Sequence, residues 1–339
     1  MRFSELVDTV LCHPALLLAV LPALLLMLVN GWTDAPVNIA TAIHSGAVSA
    51  KGAILMSAVC NFLGAAVMCA LGSSVAVSVY SISGLDKVGS AALPALSAAM
   101  TAVAVWSLFA LRFGLPTSES HALAAGLSGA AVAVSGFGAL NMHEWGKLLL
   151  GVLFSTVPVA AVSLLAAGLL RLLPLGDGTF KKLQVTGAAL SSFAHGAQDG
   201  QKFAGVLTLA ATLTPGGGTA EVTVPLWAVF LSALLISLGT LLGGRKIIER
   251  FSEFAPEAPH CGFAADLVSA VGLLLLSAAG LPASTTHAKS SAVFGAGLLG
   301  RRIKSTKTAI LPLIGAWVLT FPVSAALGFV LTKIFGMFI

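Results

Sequence analysis

The sequence predicts an all-α integral membrane protein made of two inverted-topology repeats, each with a broken helix and a helical hairpin, giving about 10–12 membrane segments in all. Three observations carry that prediction. Hydrophobic residues fill 57% of 339 positions and charged residues only 9%, against roughly 45–50% and 25% in soluble domains, and mean hydropathy is +0.99. The apolar segments are continuous runs of about 17 to 25 residues, enough to cross a bilayer as helices, and do not alternate as barrel strands do. The chain also repeats itself. "GLPTSESHA" at 114–122 and "GLPASTTHA" at 280–288 agree at six of nine positions with an offset of 166, and the next glycine also recurs, Gly129 with Gly295. "NGWTDAP" at 30–36 and "HGAQDGQ" at 195–201 share Gly31 with Gly196 and Asp34 with Asp199 at an offset of 165. Two unrelated motifs in one order at nearly one offset mark a duplication, with a first repeat at 1–172 and a second at 173–339.

Within each repeat the order is a broken helix bearing the aspartate motif, a plain span, a hairpin with its polar motif at the tip, and a final span. In the first repeat these fall near 14–49, 53–79, 91–137 and 148–172, and in the second near 183–212, 223–243, 262–299 and 308–338. The N-terminal run carries Glu5 and Asp8 and no small-residue cleavage site, so it reads as a retained first helix and not a secretory signal. Each repeat crosses the membrane an odd number of times, so the second is inverted. Loop charge agrees: Arg245, Lys246, Arg250, Arg301, Arg302, Lys304 and Lys307 flank the second hairpin, whereas Lys87 and Lys147 flank the first. Basic loops face the cytoplasm, so the second hairpin enters from there, the first enters from outside, and both termini lie outside a multi-pass protein of the plasma or inner membrane. The formal charge of +5 reports this orientation, and no nucleic-acid-binding signature accompanies it. Cys12, Cys60, Cys69 and Cys261 lack paired spacing, which argues against a disulfide framework or a zinc site.

Interrupted helices in inverted repeats put a substrate site near the membrane midplane, because unwound backbone is tolerated there only where protein, water or ligand satisfies it. After the break at Pro282, Ser284, Thr285 and Thr286 open the next helix with hydroxyls beside free N–H groups, a cradle for an oxyanion, and Thr117, Ser118 and Ser120 offer the same in the first repeat. The plainer alternative is that these hydroxyls cap a turn or let helices pack closely. Asp34 and Asp199, expected at helix interruptions, are costly in apolar surroundings. They could ligate a coupling Na+ through oxygen, accept a hydrogen bond from a protonated oxyanion, which sulfate at neutral pH could not donate, or act as N-caps. His121 and His287 could relay protons or pack against a carbonyl. Lys202, Lys289 and Arg112 could balance an anion's charge, although snorkelling to the cytoplasmic face is the favoured reading for the lysines.

With these residues in hand, the chain resembles the PiT-type inorganic phosphate transporter family, which also includes sulfate permeases. "FAHGAQDGQKFAGV" at 193–206 is close to that family's FAHGANDVQKAMGV pattern, and "GLPASTTHAKSSAVFGAG" is close to its second hairpin. The resemblance implies import of a tetrahedral oxyanion by alternating access, driven by Na+ or H+. On the matching positions it places Asp34, Thr117, Ser118, Asp199, Ser284, Thr285 and Thr286 at the substrate and cation sites. The reading of this chain's own residues adds Thr33, Glu119 and Gln198 as coupling-ion or proton residues beside Asp34 and Asp199, with Asn38, His121, His287 and Lys202 in support. Some positions depart from the family: Gln198 replaces an asparagine, Thr33 stands where asparagine or histidine is common, Asn38 falls one residue late, and Glu119 replaces a hydroxyl. One residue turns a helical side chain by about 100°, so Asn38 is not expected to reach the site.

The function expected is therefore a secondary-active phosphate symporter with no cofactor beyond its coupling cation, and with sulfate as the alternative substrate. Partners are the anion and the bilayer, with a homodimer left open. A channel fits two oppositely entering hairpins less well. An intramembrane hydrolase using Ser284, His287 and an aspartate is disfavoured because the constellation is duplicated and has no nucleophile elbow.

Overall fold

The structure, a computed structural model, describes residues 15–213, 223–300 and 303–337, with only the backbone of 303–310 considered. Glu5, Asp8, Cys12, Arg301, Arg302 and both termini lie outside the described residues. So do the side chains of Lys304 and Lys307.

The first repeat opens with α1 (Ala15–Thr33) and α2 (Ala35–His44), separated at Asp34. Pro36 causes the break: it has no N–H to donate four residues back and sits in the first turn of α2. The chain then forms α3 (Ala50–Leu71), whose N-cap Ser49 accepts from Gly52 N, and the short α4 (Ser74–Ser81). The hairpin is α5 (Ala92–Arg112) and α6 (Glu119–Ser135), and α7 (Met142–Leu170) closes the repeat.

In the second repeat α8 (Asp177–Thr212) runs 36 residues without a break. Asp199 was expected at a helix interruption and instead lies inside this continuous helix. The reason is local: the position equivalent to Pro36 is Gln201, which keeps its backbone N–H. Next come α9 (Leu226–Thr240) and α10 (Arg245–Ser252), bent by 70° relative to each other. Gly243 and Gly244, at φ 85° and 53°, make that bend. The second hairpin is α11 (Pro259–Ala278) and α12 (Thr285–Gly297), followed by α13 (Ile303–Phe335). The span expected as plain at 53–79 is therefore a longer and a shorter helix divided at Gly72, while that expected at 223–243 is the single helix α9, with α10 following beyond it.

Among the described residues six segments are long and apolar enough to cross a membrane, the first of them α1 and α2 taken together, and the bent pair α9–α10 makes a seventh. The short α4, α6 and α12 and the polar α8 fall outside this set.

Four glycines show how the repeats interlock. A β-carbon on Gly31 of α1 would fall 2.0 Å from Ile236 O of α9, and one on Gly196 of α8 would fall 2.0 Å from Asn61 O of α3. Gly129 of α6 meets Ala325 O of α13 at 2.0 Å in the same sense, and Gly295 of α12 meets Ala160 O of α7 at 2.0 Å. Each contact joins one repeat to the other, and the four form two equivalent pairs. Small residues let helix backbones approach where lipid offers no hydrophobic drive.

Candidate functional site

Both hairpin tips are built alike. Gly114 and Gly280 turn the chain at φ 64° and 69°, and an extended stretch through Pro116 or Pro282 leads to a serine N-cap. Ser118 Oγ accepts from His121 N at 3.3 Å and Ser284 Oγ from His287 N at 3.2 Å. The capping alternative for these two serines is thus realised. Their oxygens satisfy one free N–H of each helix start and leave the rest.

The tips bring Asp34 and Asp199 together, each served by the opposite repeat. Thr286 Oγ1 donates to Asp34 Oδ2 at 3.1 Å, while Thr33 Oγ1 donates to Asp34 Oδ1 at 3.2 Å. Asn30 Nδ2 donates to Asp199 Oδ2 at 3.0 Å, and Lys202 Nζ donates to Asp199 Oδ1 at 2.6 Å. Lys202 also donates to Ser120 Oγ and to Ala283 O, both at 2.6 Å, so it ties the two tips to one aspartate. Lys202 is 2% exposed, and snorkelling is ruled out. The carboxylate three residues before it holds the ammonium inside, as a buried cation requires.

His195 Nε2 lies 3.3 Å from Asp199 Oδ2, and its Nδ1 lies 2.9 Å from Asn61 Oδ1. Asp34, His195 and Asp199 each present a ligand atom within 4.8 Å of the others. Neither His195 nor Asn30 was singled out from sequence, yet a signal existed: they stand at the same offset of 165 as the two aspartates and open the two repeated motifs. Asn30 Oδ1 is buried without a partner.

The remaining residues divide. Gln198 Nε2 donates to Leu281 O at 3.2 Å and its Oε1 accepts from Ala283 N at 3.4 Å, so its side chain holds the backbone of the second tip. Glu119 is buried beside the tips. Ser107 Oγ donates to one of its oxygens and the other has no partner. Thr117 and Thr285 are buried at the tips. His121 stacks on Phe321 and meets His287 edge-on at a centroid distance of 4.5 Å, and His287 stacks on Trp317. Asn38 Oδ1 accepts from Ser191 Oγ at 2.9 Å. Lys289 is buried too, paired with Asp266, so it does not snorkel either. Arg112 is exposed at the end of α5.

Ser284 Oγ and His287 Nδ1 are 2.6 Å apart, a spacing that a nucleophile and base would share. That hydroxyl is already the cap of α12.

The phosphate transporter family profile matches the chain twice, over residues 30–177 and 174–328. A Bacillus subtilis protein named "Probable low-affinity inorganic phosphate transporter" is 32% identical over 94% of this chain and 98% of its own length. A Rhizobium meliloti protein of the same name is 31% identical over 94% of this chain and 96% of its own. Among solved structures, one titled "The sodium-dependent phosphate transporter" superposes with a TM-score of 0.80 at 23% identity, covering 96% of this chain and 100% of that one, which establishes a shared fold.

Proposed function

From the premise that this chain belongs to the phosphate transporter family, a family of transporters and not of enzymes, we propose that it is a multi-pass symporter for inorganic phosphate that works by alternating access, with Na+ as the coupling ion. One observation supports this most: each hairpin tip reaches the other repeat's aspartate, Thr286 to Asp34 and Ser120 through Lys202 to Asp199. Moving either repeat against the other must therefore rearrange both aspartates together, and that is what coupling requires.

In this reading Asp34, Asp199 and Asn30 supply oxygens to the cation. The N-terminal turns of α6 and α12, with Thr117, Ser118, Ser284, Thr285 and Thr286, receive the phosphate oxygens at the positive ends of their helix dipoles. Lys202 supplies the positive charge, and a carboxylate accepts a hydrogen bond from the phosphate's own O–H. Thr33, Glu119 and Gln198 serve the coupling ion or proton beside the aspartates. The two functional halves are the repeats 1–172 and 173–339, with the termini outside.

The test is uptake of radiolabelled phosphate by proteoliposomes under an imposed Na+ gradient, with an H+ gradient and labelled sulfate as the competing arms. Accumulation of phosphate that collapses when the Na+ gradient is removed is the expected result. Downhill flux indifferent to either gradient would mark a channel and overturn the proposal, and preference for sulfate would replace the substrate.

A further inference from the structure

One helical turn from Thr286, and on the opposite side of the centre from Lys202, lies a second buried ion pair that the central site does not use. Lys289 of α12 is paired with Asp266 Oδ1 of α11. Its ammonium also donates to Asn38 O of α2 at 3.1 Å and to Ser191 Oγ of α8 at 3.5 Å. Thr41 Oγ1 donates to Asp266 Oδ1 at 2.7 Å. The other oxygen, Asp266 Oδ2, is buried without a partner, and so is Gln184 Nε2 one layer further out. Gln184 Oε1 accepts from Ser45 Oγ at 2.7 Å, and Ser45 is half-buried. Residues three, four or seven apart lie on one helix face, so Asn38 and Thr41 on α2 with its C-cap Ser45, and His195, Ser191 and Gln184 on α8, form a polar column that starts from Asp199 through His195. It runs from the centre to the face that carries Lys181, Lys182 and Arg171, the face that the positive-inside rule assigns to the cytoplasm.

The equivalent positions on the other side are all apolar. At the repeat offsets of 165 and 166, Asn38 corresponds to Phe203, Thr41 to Val206, Ser191 to Leu26, Asp266 to Met100 and Lys289 to Leu123. All five of these are buried in one hydrophobic cluster. The void on that side, beside Lys202 and lined by Val79, Ile82, Leu123 and Leu148, holds about 10 Å³, room for at most one water.

We propose that Lys289 and Asp266 are a transit site for a protonated tetrahedral oxyanion, through which the anion leaves the centre toward the cytoplasm. This rests on the phosphate-transport reading above. Lys289 supplies the charge and the donors, and Asp266 Oδ2 accepts the anion's O–H. With no anion present the pair closes on itself and bars the column. No bond is made or broken.

The test replaces the pair by a neutral one, Lys289→Met with Asp266→Leu, because apolar residues in place of a buried ion pair tend to leave folding intact. Equilibrium phosphate binding to the detergent-purified variant stays within about twofold of native, as for a change outside the central site. Its uptake in proteoliposomes falls about tenfold or more, the scale of losing a charge from a desolvated pair. A double variant that transports at the native rate overturns the proposal, since the pair would then be structural. So does one that loses binding together with transport, since the pair would then belong to the centre. If the native protein itself takes up no phosphate, the function reading fails first and this inference falls with it, so the two failures are distinguishable.

Discussion

On one side of the Asp34–Asp199 centre the chain places a lysine, an aspartate, two hydroxyls and an asparagine, and on the other it places leucines, a phenylalanine, a valine and a methionine at the equivalent backbone positions. The helix contacts that frame the two sides match at Gly31/Gly196 and Gly129/Gly295, although α2 starts after a break where α8 runs on. What differs is the filling. An apolar plug closes by packing and reopens only when helices separate, whereas a charged and hydroxylated layer can exchange its partners for an ion without being dismantled. Duplication therefore explains the architecture, and the difference in side chains makes the two sides of the centre chemically unlike.

The largest expected effects are at the centre, where the two aspartates are not equivalent. Both Asp34→Asn and Asp199→Asn abolish phosphate uptake in proteoliposomes. Only Asp199→Asn also destabilises the protein, by about 3–5 kcal/mol, because it leaves Lys202 buried without a counter-charge; thermal melts of the two purified variants read the difference. Equal melting temperatures would dissolve this distinction.

Next come the interlocking glycines. Gly129→Ala and Gly295→Ala each force a methyl group onto a backbone carbonyl of the partner repeat, at a cost of about 3 kcal/mol where neither backbone can move. Folded yield after detergent extraction falls for both, and by similar amounts if the repeats are packed as alike as they look. A large inequality would show that one hairpin is the freer of the two.

A smaller contrast tests the two fillings directly. Leu123→Ala in the apolar plug opens a cavity and costs about 2–5 kcal/mol. Ser191→Ala in the polar column removes a hydroxyl that bonds Asn38 and costs about 1 kcal/mol. Denaturation in mixed micelles ranks them, and a reversed order would contradict the view that packing closes one side and polar contacts the other.

The subtlest effect is expected at Glu119. Its unpartnered oxygen and its bond from Ser107 make it the side chain by which the first tip departs from the second. Glu119→Gln keeps the fold and flattens the dependence of uptake on pH or Na+. A profile unchanged from native would remove Glu119 from coupling.

Much of the site could be read in the sequence because both aspartates and both hydroxyl clusters lie in motifs that recur at a fixed offset, and a recurrent polar motif in an apolar run is hard to explain by packing. His195 and Asn30 carried the same signal and were passed over. The fate of the lysines was not legible in this way. Lys202 and Lys289 look like residues that would reach for a membrane face, and burial beside a carboxylate, Asp199 one turn back on the same helix or Asp266 on the neighbouring one, keeps them inside. The unbroken α8 was missed for a related reason, since the resemblance of two motifs hid the single proline that bends one and not the other.

By itself the sequence determined the class, the duplication, and the breaks at Pro36 and at the two hairpin tips, because hydropathy, proline and glycine act over a few residues and leave a local record. Tertiary structure decided which aspartate receives which hydroxyl and which lysines are buried. The first outcome depends on pairs of groups far apart in the chain, such as Thr286 with Asp34 or Ser120 with Lys202. The second rests on ion pairs only three and 23 residues apart, Lys202–Asp199 and Lys289–Asp266, and the energy of those buried charges is set by the neighbours that folding brings to them.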